Sequence, residues 1–176
     1  MSISVRAAEP GDVPALVRLR LANAERHVEL DRTVYRVPDK ERVREYFEEV
    51  LAGEPGVVIL VAESPGDVVG MVEVIPRADP PAHQILVPSR SAEIHTVVLE
   101  GHRGEGIGAA LVSAAERAAA ERGIHLLHAG VFAPNEEAVR FYSSAGFGPR
   151  GILLSKDSGA HRSIDPAEAG GGPVPA

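Results

Sequence analysis

Three glycines lie within the segment 103–108, which follows an apolar run and directly precedes an alanine-rich helical pattern. A strand, a glycine loop and a helix in this order expose backbone N–H groups at the helix N-terminus, where the helix dipole is positive. A side chain at Gly104, Gly106 or Gly108 would hold a ligand away from these donors or forbid the turn. The segment therefore predicts a site for a phosphate-bearing cofactor.

This loop could also be a P-loop, a dinucleotide-binding loop or a glycine-rich turn without a ligand. A P-loop requires a lysine and a hydroxyl where this chain has Ile107 and Gly108, which excludes it. A dinucleotide fingerprint, G-x-G-x-x-G/A, is formally met by Gly104, Gly106 and Ala109. That motif is disfavoured because the loop does not follow its strand directly. The next apolar run also lacks the terminal acidic residue that binds a ribose.

A further pattern, R-x-x-G-x-G at Arg103, Gly106 and Gly108, resembles the pyrophosphate loop of the GCN5-related N-acetyltransferase (GNAT) superfamily, which binds acetyl-CoA. A second signature of that superfamily, N-x-x-A-x-x-F-Y-x-x-x-G-F, matches every specified position of the segment 135–147. The resemblance covers roughly residues 56–156. It implies transfer of an acetyl group from acetyl-CoA to a primary amine by direct attack in a ternary complex. The alternative is a catalytically silent acyl-CoA-binding sensor or regulatory module.

Hydrophobic periodicity predicts alternating elements along the chain. A first helix is expected to begin after Asp12, its N-cap, and three further helices are expected at 39–52, 107–122 and 134–144. Strands are expected at 2–8, 57–62, 68–75, 93–99, 124–132 and 151–156. The resemblance implies the GNAT α/β fold, a mixed, mostly antiparallel sheet of about six or seven strands flanked by about four helices. In that fold the strands at 93–99 and 124–132 are parallel neighbours that splay apart, and pantetheine enters the gap.

The resemblance also implies which residues hold the cofactor. These are Thr96, Val97, Val98, Arg103, Gly104, Glu105, Gly106, Ile107, Gly108, Asn135 and Tyr142. The N–H of Val98 would face the thioester oxygen, where a donor stabilises a developing oxyanion. The side chain of Arg103 could instead brace the loop, and Asn135 is equally suited to be the N-cap of the following helix. For the strand residues, simple burial is the alternative.

Three side chains are candidates for proton transfer. By resemblance, Tyr142 protonates the departing CoA thiolate, as a hydroxyl within hydrogen-bonding distance can do; a core tyrosine is the alternative. The attacking amine must lose a proton, and Glu93 or His95 could accept it, since histidine titrates near neutrality. Alternation places both on one face of the strand, so it does not distinguish them. A strand-end salt bridge and a half-buried histidine are the structural alternatives.

Composition limits the class of protein. A chain of 176 residues with no cysteine fits a single domain, expected at 1–158, in a reducing compartment such as the cytoplasm. The segment 159–176 is poor in apolar residues and is expected to be disordered. No secretory leader or membrane span is expected. The resemblance places the acceptor site among the first two helices, the loop 77–90 and the region before the last strand.

Charge and histidine placement limit the partners. The net charge of −7 and the scattered basic residues disfavour nucleic acid. His125 and His128 lie on opposite faces of their predicted strand, so no metal is expected. A small-molecule amine or a protein N-terminus remains open as acceptor, and a homodimer is possible by analogy with relatives.

Overall fold

The computed structural model describes residues 3–53 and 56–156. The strands are β1 (Ser4–Ala7), β2 (Val58–Ser64), β3 (Asp67–Arg77), β4 (Ser91–Val98) and β5 (Leu126–His128), and the helices are α1 (Val13–Leu30), α2 (Lys40–Leu51), α3 (Ile107–Glu121) and α4 (Glu136–Ser144). Short 3-10 turns, Pro10–Asp12 and Glu100–His102, come before α1 and α3. The predicted mixed α/β architecture is confirmed, with five strands in the described residues.

The sheet has the strand order β1-β2-β3-β4-β5. Its first four strands are antiparallel, and only β4 and β5 run parallel. The parallel pairing covers Ser91↔Leu126, Ala92↔Leu127 and Glu93↔His128, whereas β4 continues to Val98. Beyond Glu93, the edge of β4 that faces β5 therefore has no strand partner within the described residues. This is the splay that the resemblance implies.

Two apolar clusters cover the two faces of the sheet. On one face, α1 and α2 pack residues such as Leu16 and Phe47 against Val61 and Met71. On the other face, α3 packs against the central strands. A Cβ atom on Gly70 of β3 would lie only 3.0 Å from Leu111 Cδ1, so the absent side chain lets α3 approach the sheet closely. This approach sets the position of the loop that precedes α3.

The ladder between β3 and β4 runs without a shift from Gly70↔Val98 to Arg77↔Ser91. Strand alternation therefore holds throughout β4. Val97 belongs to the cluster under α1 and α2, whereas Ile94 belongs to the cluster under α3. Glu93 and His95 consequently share the face that α1 and α2 cover, as the spacing predicts.

Two expected strands differ from the prediction. The run 124–132 forms a strand only over Leu126–His128, because the chain then turns away from β4. The expected last strand at 151–156 is wrong: these residues have no regular structure, and the side chains of Ile152 and Leu154 are 87% and 86% exposed. An apolar run becomes a strand only where a neighbouring strand pairs with it. The predicted tail, 159–176, lies outside the described residues.

The start of α1 also differs in detail. Asp12 precedes the helix as expected, but its side chain caps no helical N–H group. Instead, its carboxylate accepts hydrogen bonds from the backbone N–H of Glu9 and from Arg6, both at 2.7 Å. The aspartate therefore ties the helix entry to β1. None of the helices within the described residues combines the length and apolar character that a membrane crossing requires.

Candidate active site

A cavity of about 760 Å³ opens where β4 leaves β5. Its walls come from α1, the segment after α1, the second half of β4, the glycine loop, the start of α3, the chain after β5, and α4. Ten of the predicted site residues line it: His95, Thr96, Val97, Val98, Arg103, Gly104, Gly106, Gly108, Asn135 and Tyr142. The fold thus brings both sequence motifs to one cavity.

Three predicted residues do not line this cavity. Ile107 is only 1% exposed, and its side chain belongs to the core under α3. Glu105 points its carboxylate to within 3.7 Å of His102 Nδ1. Glu93 is not part of the cavity lining, but its carboxylate contacts His95, which is. For Ile107 and Glu105, any contact with a ligand in the cavity would have to come from the backbone.

The glycine loop adopts the geometry that only glycine takes without strain. Gly104 has a φ of +79° and Gly106 has a φ of +82°, both in the left-handed region. Gly106 is the N-cap of α3, and its carbonyl accepts the N–H of Ala110 at 3.0 Å. The free N–H groups of the first helical turn therefore begin at the cavity wall. This arrangement provides donors and a positive dipole end for an anion.

Gly108 has a different reason to be glycine. A Cβ atom there would lie 2.8 Å from Cε2 of Phe141 in α4. Its small size thus lets α3 and α4 pack across the cavity, in addition to any room that it leaves for a ligand. Sequence spacing alone does not reveal this helix contact.

Arg103 braces the loop in this structure. Its Nε donates to the carbonyl of Val98 at 3.3 Å, and Nη1 lies 3.6 Å from Glu137 Oε1. Arg26 of α1 also pairs with Glu137. The three side chains therefore link α1, the glycine loop and the first turn of α4 along one side of the cavity.

Tyr142 reaches from α4 to β4. Its hydroxyl accepts a hydrogen bond from the backbone N–H of Thr96 at 3.3 Å, while its ring packs against Phe141 and Phe147 with centroids 4.9 Å and 5.3 Å away. Burial raises the pKa of the Tyr142 hydroxyl, and the hydrogen bond from Thr96 opposes this only in part. The phenol therefore keeps its proton at neutral pH. The residue is at once a core aromatic and a protonated hydroxyl at the cavity.

Asn135 is the N-cap of α4, which is one of the two roles predicted for it. Its Oδ1 accepts the N–H of Ala138 at 3.2 Å, which caps α4. The residue is 8% exposed and lines the cavity. The cap fixes the first turn of α4, and hence the approach of Tyr142 to β4.

His95 lies between two carboxylates. Its Nε2 is 3.3 Å from Glu93 Oε1, and its Nδ1 is 3.6 Å from Glu73 Oε2. The pKa of His95 is raised, chiefly by Glu73 and further by Glu93, while partial burial works against them. Glu93 and His95 thus contact each other, so the two candidate proton acceptors are considered together as one pair.

Glu73 belongs to this region but is not among the residues predicted from the sequence. It is 0% exposed, lies opposite His95 in the β3–β4 ladder and pairs with Arg20 of α1. The Tyr46 hydroxyl of α2 donates to Glu73 Oε1 at 3.0 Å. Burial alone would raise the pKa of this carboxyl, but His95, Arg20 and Tyr46 together hold it below its ordinary value. The sequence feature that could have identified Glu73 is its position as a single acidic residue within the apolar run of β3.

An aromatic group closes the far side of the cavity. The ring of Tyr35 contacts His27 of α1 and Phe132 after β5 edge-on, with centroids 4.9 Å and 5.3 Å away. His27 Nδ1 is held by the carbonyl of Asn23 at 2.8 Å. Of the segments expected to form the acceptor site, α1 lines the cavity, whereas no residue of α2 or of the loop 77–90 does.

Comparison with known proteins agrees with this geometry. Residues 24–147 match the sequence model of the acetyltransferase (GNAT) family. The chain belongs to the GNAT family. It is 33% identical over 145 residues to an uncharacterized N-acetyltransferase of Archaeoglobus fulgidus, a match that covers 81% of this chain and 90% of the relative. The predicted family is thereby confirmed, and acetyl transfer is supported as the general activity.

Solved GNAT-like structures share the fold. The tetramutant of the BH1408 protein from Bacillus halodurans superposes with a TM-score of 0.75 at 22% identity, covering 88% of this chain and 99% of that one. A "predicted acetyltransferase with acetyl-CoA" from Clostridium acetobutylicum superposes with a TM-score of 0.67 at 21% identity, covering 91% and 99%. In the described part of this chain, no three His, Asp or Glu residues are grouped so as to hold a metal ion.

Proposed function

We propose that this protein transfers an acetyl group from acetyl-CoA to a primary amine by direct attack within a ternary complex. The observation that carries the proposal is the contact between the Tyr142 hydroxyl and the Thr96 N–H, at the place where β4 loses its parallel partner. The glycine loop lies beyond one end of this unpaired edge, and the Glu93–His95 pair lies at the other. A carrier with a phosphate end and a thioester end fits that order.

The residues of the cavity fit acetyl-CoA in three respects. The unpaired edge of β4 offers backbone groups to an amide-containing arm, and the glycine loop offers N–H groups to a pyrophosphate. Two buried polar side-chain atoms in the described residues lack a hydrogen-bond partner, Thr96 Oγ1 and His102 Nδ1. Both residues line this cavity. His102 Nδ1 has the Glu105 carboxylate 3.7 Å away. Since buried polar atoms are nearly always paired, a bound polar ligand would supply the partner that Thr96 Oγ1 lacks.

The Glu93–His95 pair would remove the proton from the acceptor. In this step an N–H bond of the ammonium breaks, His95 Nε2 gains the proton, and the nitrogen lone pair becomes free to attack the thioester carbonyl. The resulting imidazolium lies between the carboxylates of Glu73 and Glu93, which stabilise its charge. A positioned base of this kind typically contributes about 10²- to 10⁴-fold to the rate.

Tyr142 would protonate the leaving group. As the carbon–sulfur bond breaks, its hydroxyl proton moves to the thiolate sulfur. The newly bonded nitrogen releases its remaining extra proton to solvent, which leaves the neutral amide, and the tyrosinate recovers a proton from solvent. The Thr96 N–H remains bonded to the phenolic oxygen and stabilises its transient charge. The N–H of Val98, also on the unpaired edge, would face the carbonyl oxygen of the tetrahedral intermediate.

The experiment follows release of free CoA from acetyl-CoA in the presence of a panel of amines: amino acids, polyamines, an aminoglycoside and a short peptide with a free N-terminus. Amine-dependent release by the wild type, with a large loss in Tyr142→Phe at unchanged acetyl-CoA binding, supports the proposal. Binding of acetyl-CoA without release for any amine would instead identify a sensor or regulatory module. Failure of the chain to bind acetyl-CoA would refute both.

A further inference from the structure

The buried carboxylate of Glu73 stabilises the charge on His95 in the steps above, and three elements of the fold converge on it. Arg20 approaches from α1, Tyr46 from α2 and His95 from β4. Glu73 is 0% exposed and does not line the cavity. Of its partners, His95 is the one that also contacts Glu93.

Stability alone is a weak reason for such a group. Removing a carboxylate from water is costly, and a buried ion pair can often be replaced by apolar side chains with little or no loss of stability. The next pair along the β3–β4 ladder on the same face, Met71 and Val97, belongs to the apolar cluster under α1 and α2. A fully buried acid that contacts a histidine at a cavity suggests a role in orienting that histidine.

The two carboxylates beside His95 differ in exposure and in how many groups hold them. Glu73 is fixed by Arg20 and Tyr46 and is completely enclosed. The side chain of Glu93 is 37% exposed, and its carboxylate accepts a hydrogen bond from Nε2 of His95 when the imidazole is protonated. Glu93 can therefore swing toward an incoming ammonium group, whereas Glu73 stays in place at Nδ1.

We propose that Glu73 is a positioning residue for acetyl transfer, because it holds the His95 imidazole with its hydrogen on Nδ1 and thereby leaves Nε2 to exchange a proton with the acceptor amine and Glu93. This inference rests on the proposed function. The proton that leaves the ammonium ends on Nε2, the Nδ1 hydrogen stays directed at Glu73, and Glu73 itself remains ionised throughout.

The test compares Glu73→Gln with Glu63→Gln. Glu63 is a matched control because it is also a strand glutamate paired with an arginine, Arg6, but it lies on β2 and contacts no histidine. The measurements are kcat and KM across pH, and the titration of the His95 imidazole by NMR, assigned with His95→Gln. The acidic limb of kcat/KM is expected to follow the titration of His95.

In Glu73→Gln, kcat should fall by about 10- to 100-fold, part of the contribution of a positioned base. The acidic limb and the His95 titration should both move to lower pH, since a carboxylate that favours the imidazolium is gone. The KM for acetyl-CoA should be unchanged, and Glu63→Gln should leave all of these quantities unchanged. A purely structural role for Glu73 would lower stability without moving the pH profile.

Two results would overturn the inference alone: a folded Glu73→Gln enzyme with the wild-type pH profile, or a neutral His95 whose hydrogen lies on Nε2 in the 15N spectrum of the wild type. The second measurement needs no variant, so it decides the matter even where Glu73→Gln does not fold. Absence of amine-dependent turnover in the wild type would overturn the proposed function and this inference together.

Discussion

Gly106 and Gly66 allow the conformational role of a glycine to be separated from its role in binding. Both have a φ of +82°, and an added Cβ atom would meet nothing within 4 Å at either position. The left-handed conformation costs a residue other than glycine about 1–2 kcal/mol. Gly106→Ala and Gly66→Ala should therefore lose the same stability. The melting temperature should fall by about 2–4 °C for each kcal/mol in a chain of this length.

Binding should distinguish the two variants. Gly106 caps α3 and lines the cavity, whereas Gly66 lies in the turn between β2 and β3 and does not line it. A methyl group at Gly106 occupies the space through which a pyrophosphate would approach the backbone. We expect the acetyl-CoA Kd of Gly106→Ala to rise by at least about tenfold, or about 1.4 kcal/mol, with no change in Gly66→Ala.

The assay is isothermal titration calorimetry with acetyl-CoA, beside thermal unfolding of the ligand-free proteins. Equal affinity in the wild type and Gly106→Ala would refute the assignment of this loop to the pyrophosphate. An equal loss of affinity in both variants would show that the strain, and not the position, weakens binding.

Three further results are expected. Tyr142→Phe should lower kcat by about 100-fold in steady-state assays without changing acetyl-CoA affinity; an unaltered kcat would exclude Tyr142 as the acid. Asn135→Ala leaves the Ala138 N–H uncapped and should cost about 1 kcal/mol in urea unfolding; unchanged stability would contradict the capping role. The base must be unprotonated, so kcat/KM should rise with pH through the pKa of His95, which Glu73 and Glu93 raise. If the acidic limb of the kcat/KM profile were retained in His95→Gln, the titrating group would be a residue other than His95.

The elements that were predicted correctly are those whose structure depends on short, local segments of sequence. The glycine loop and the helix after it are predicted from adjacent residues, because positive-φ glycines and an apolar stripe are properties of a short segment. The same holds for α4, whose N-cap is Asn135 as predicted. These two segments supply six of the ten predicted residues that line the cavity.

Strand predictions fail where strand formation depends on pairing with a neighbouring strand. The runs 124–132 and 151–156 are both apolar, yet only three residues of the first become a strand. Their outcome depends on which backbone lies beside them, which an apolar pattern does not specify. The β3–β4 register, by contrast, confirms the shared face of Glu93 and His95 and adds Glu73, whose partners come from distant segments.

The brief pairing of β5 with β4 has a consequence for how the protein responds to its cosubstrate. Only three residue pairs join the two strands, and Arg26 and Arg103 tie the start of α4 across the cavity through Glu137. A molecule that bridges the gap would therefore complete the sheet as well as occupy a site. Backbone amide hydrogens of β4 and of the chain after β5 should exchange more slowly when acetyl-CoA is bound. The melting temperature should rise as the acetyl-CoA concentration increases.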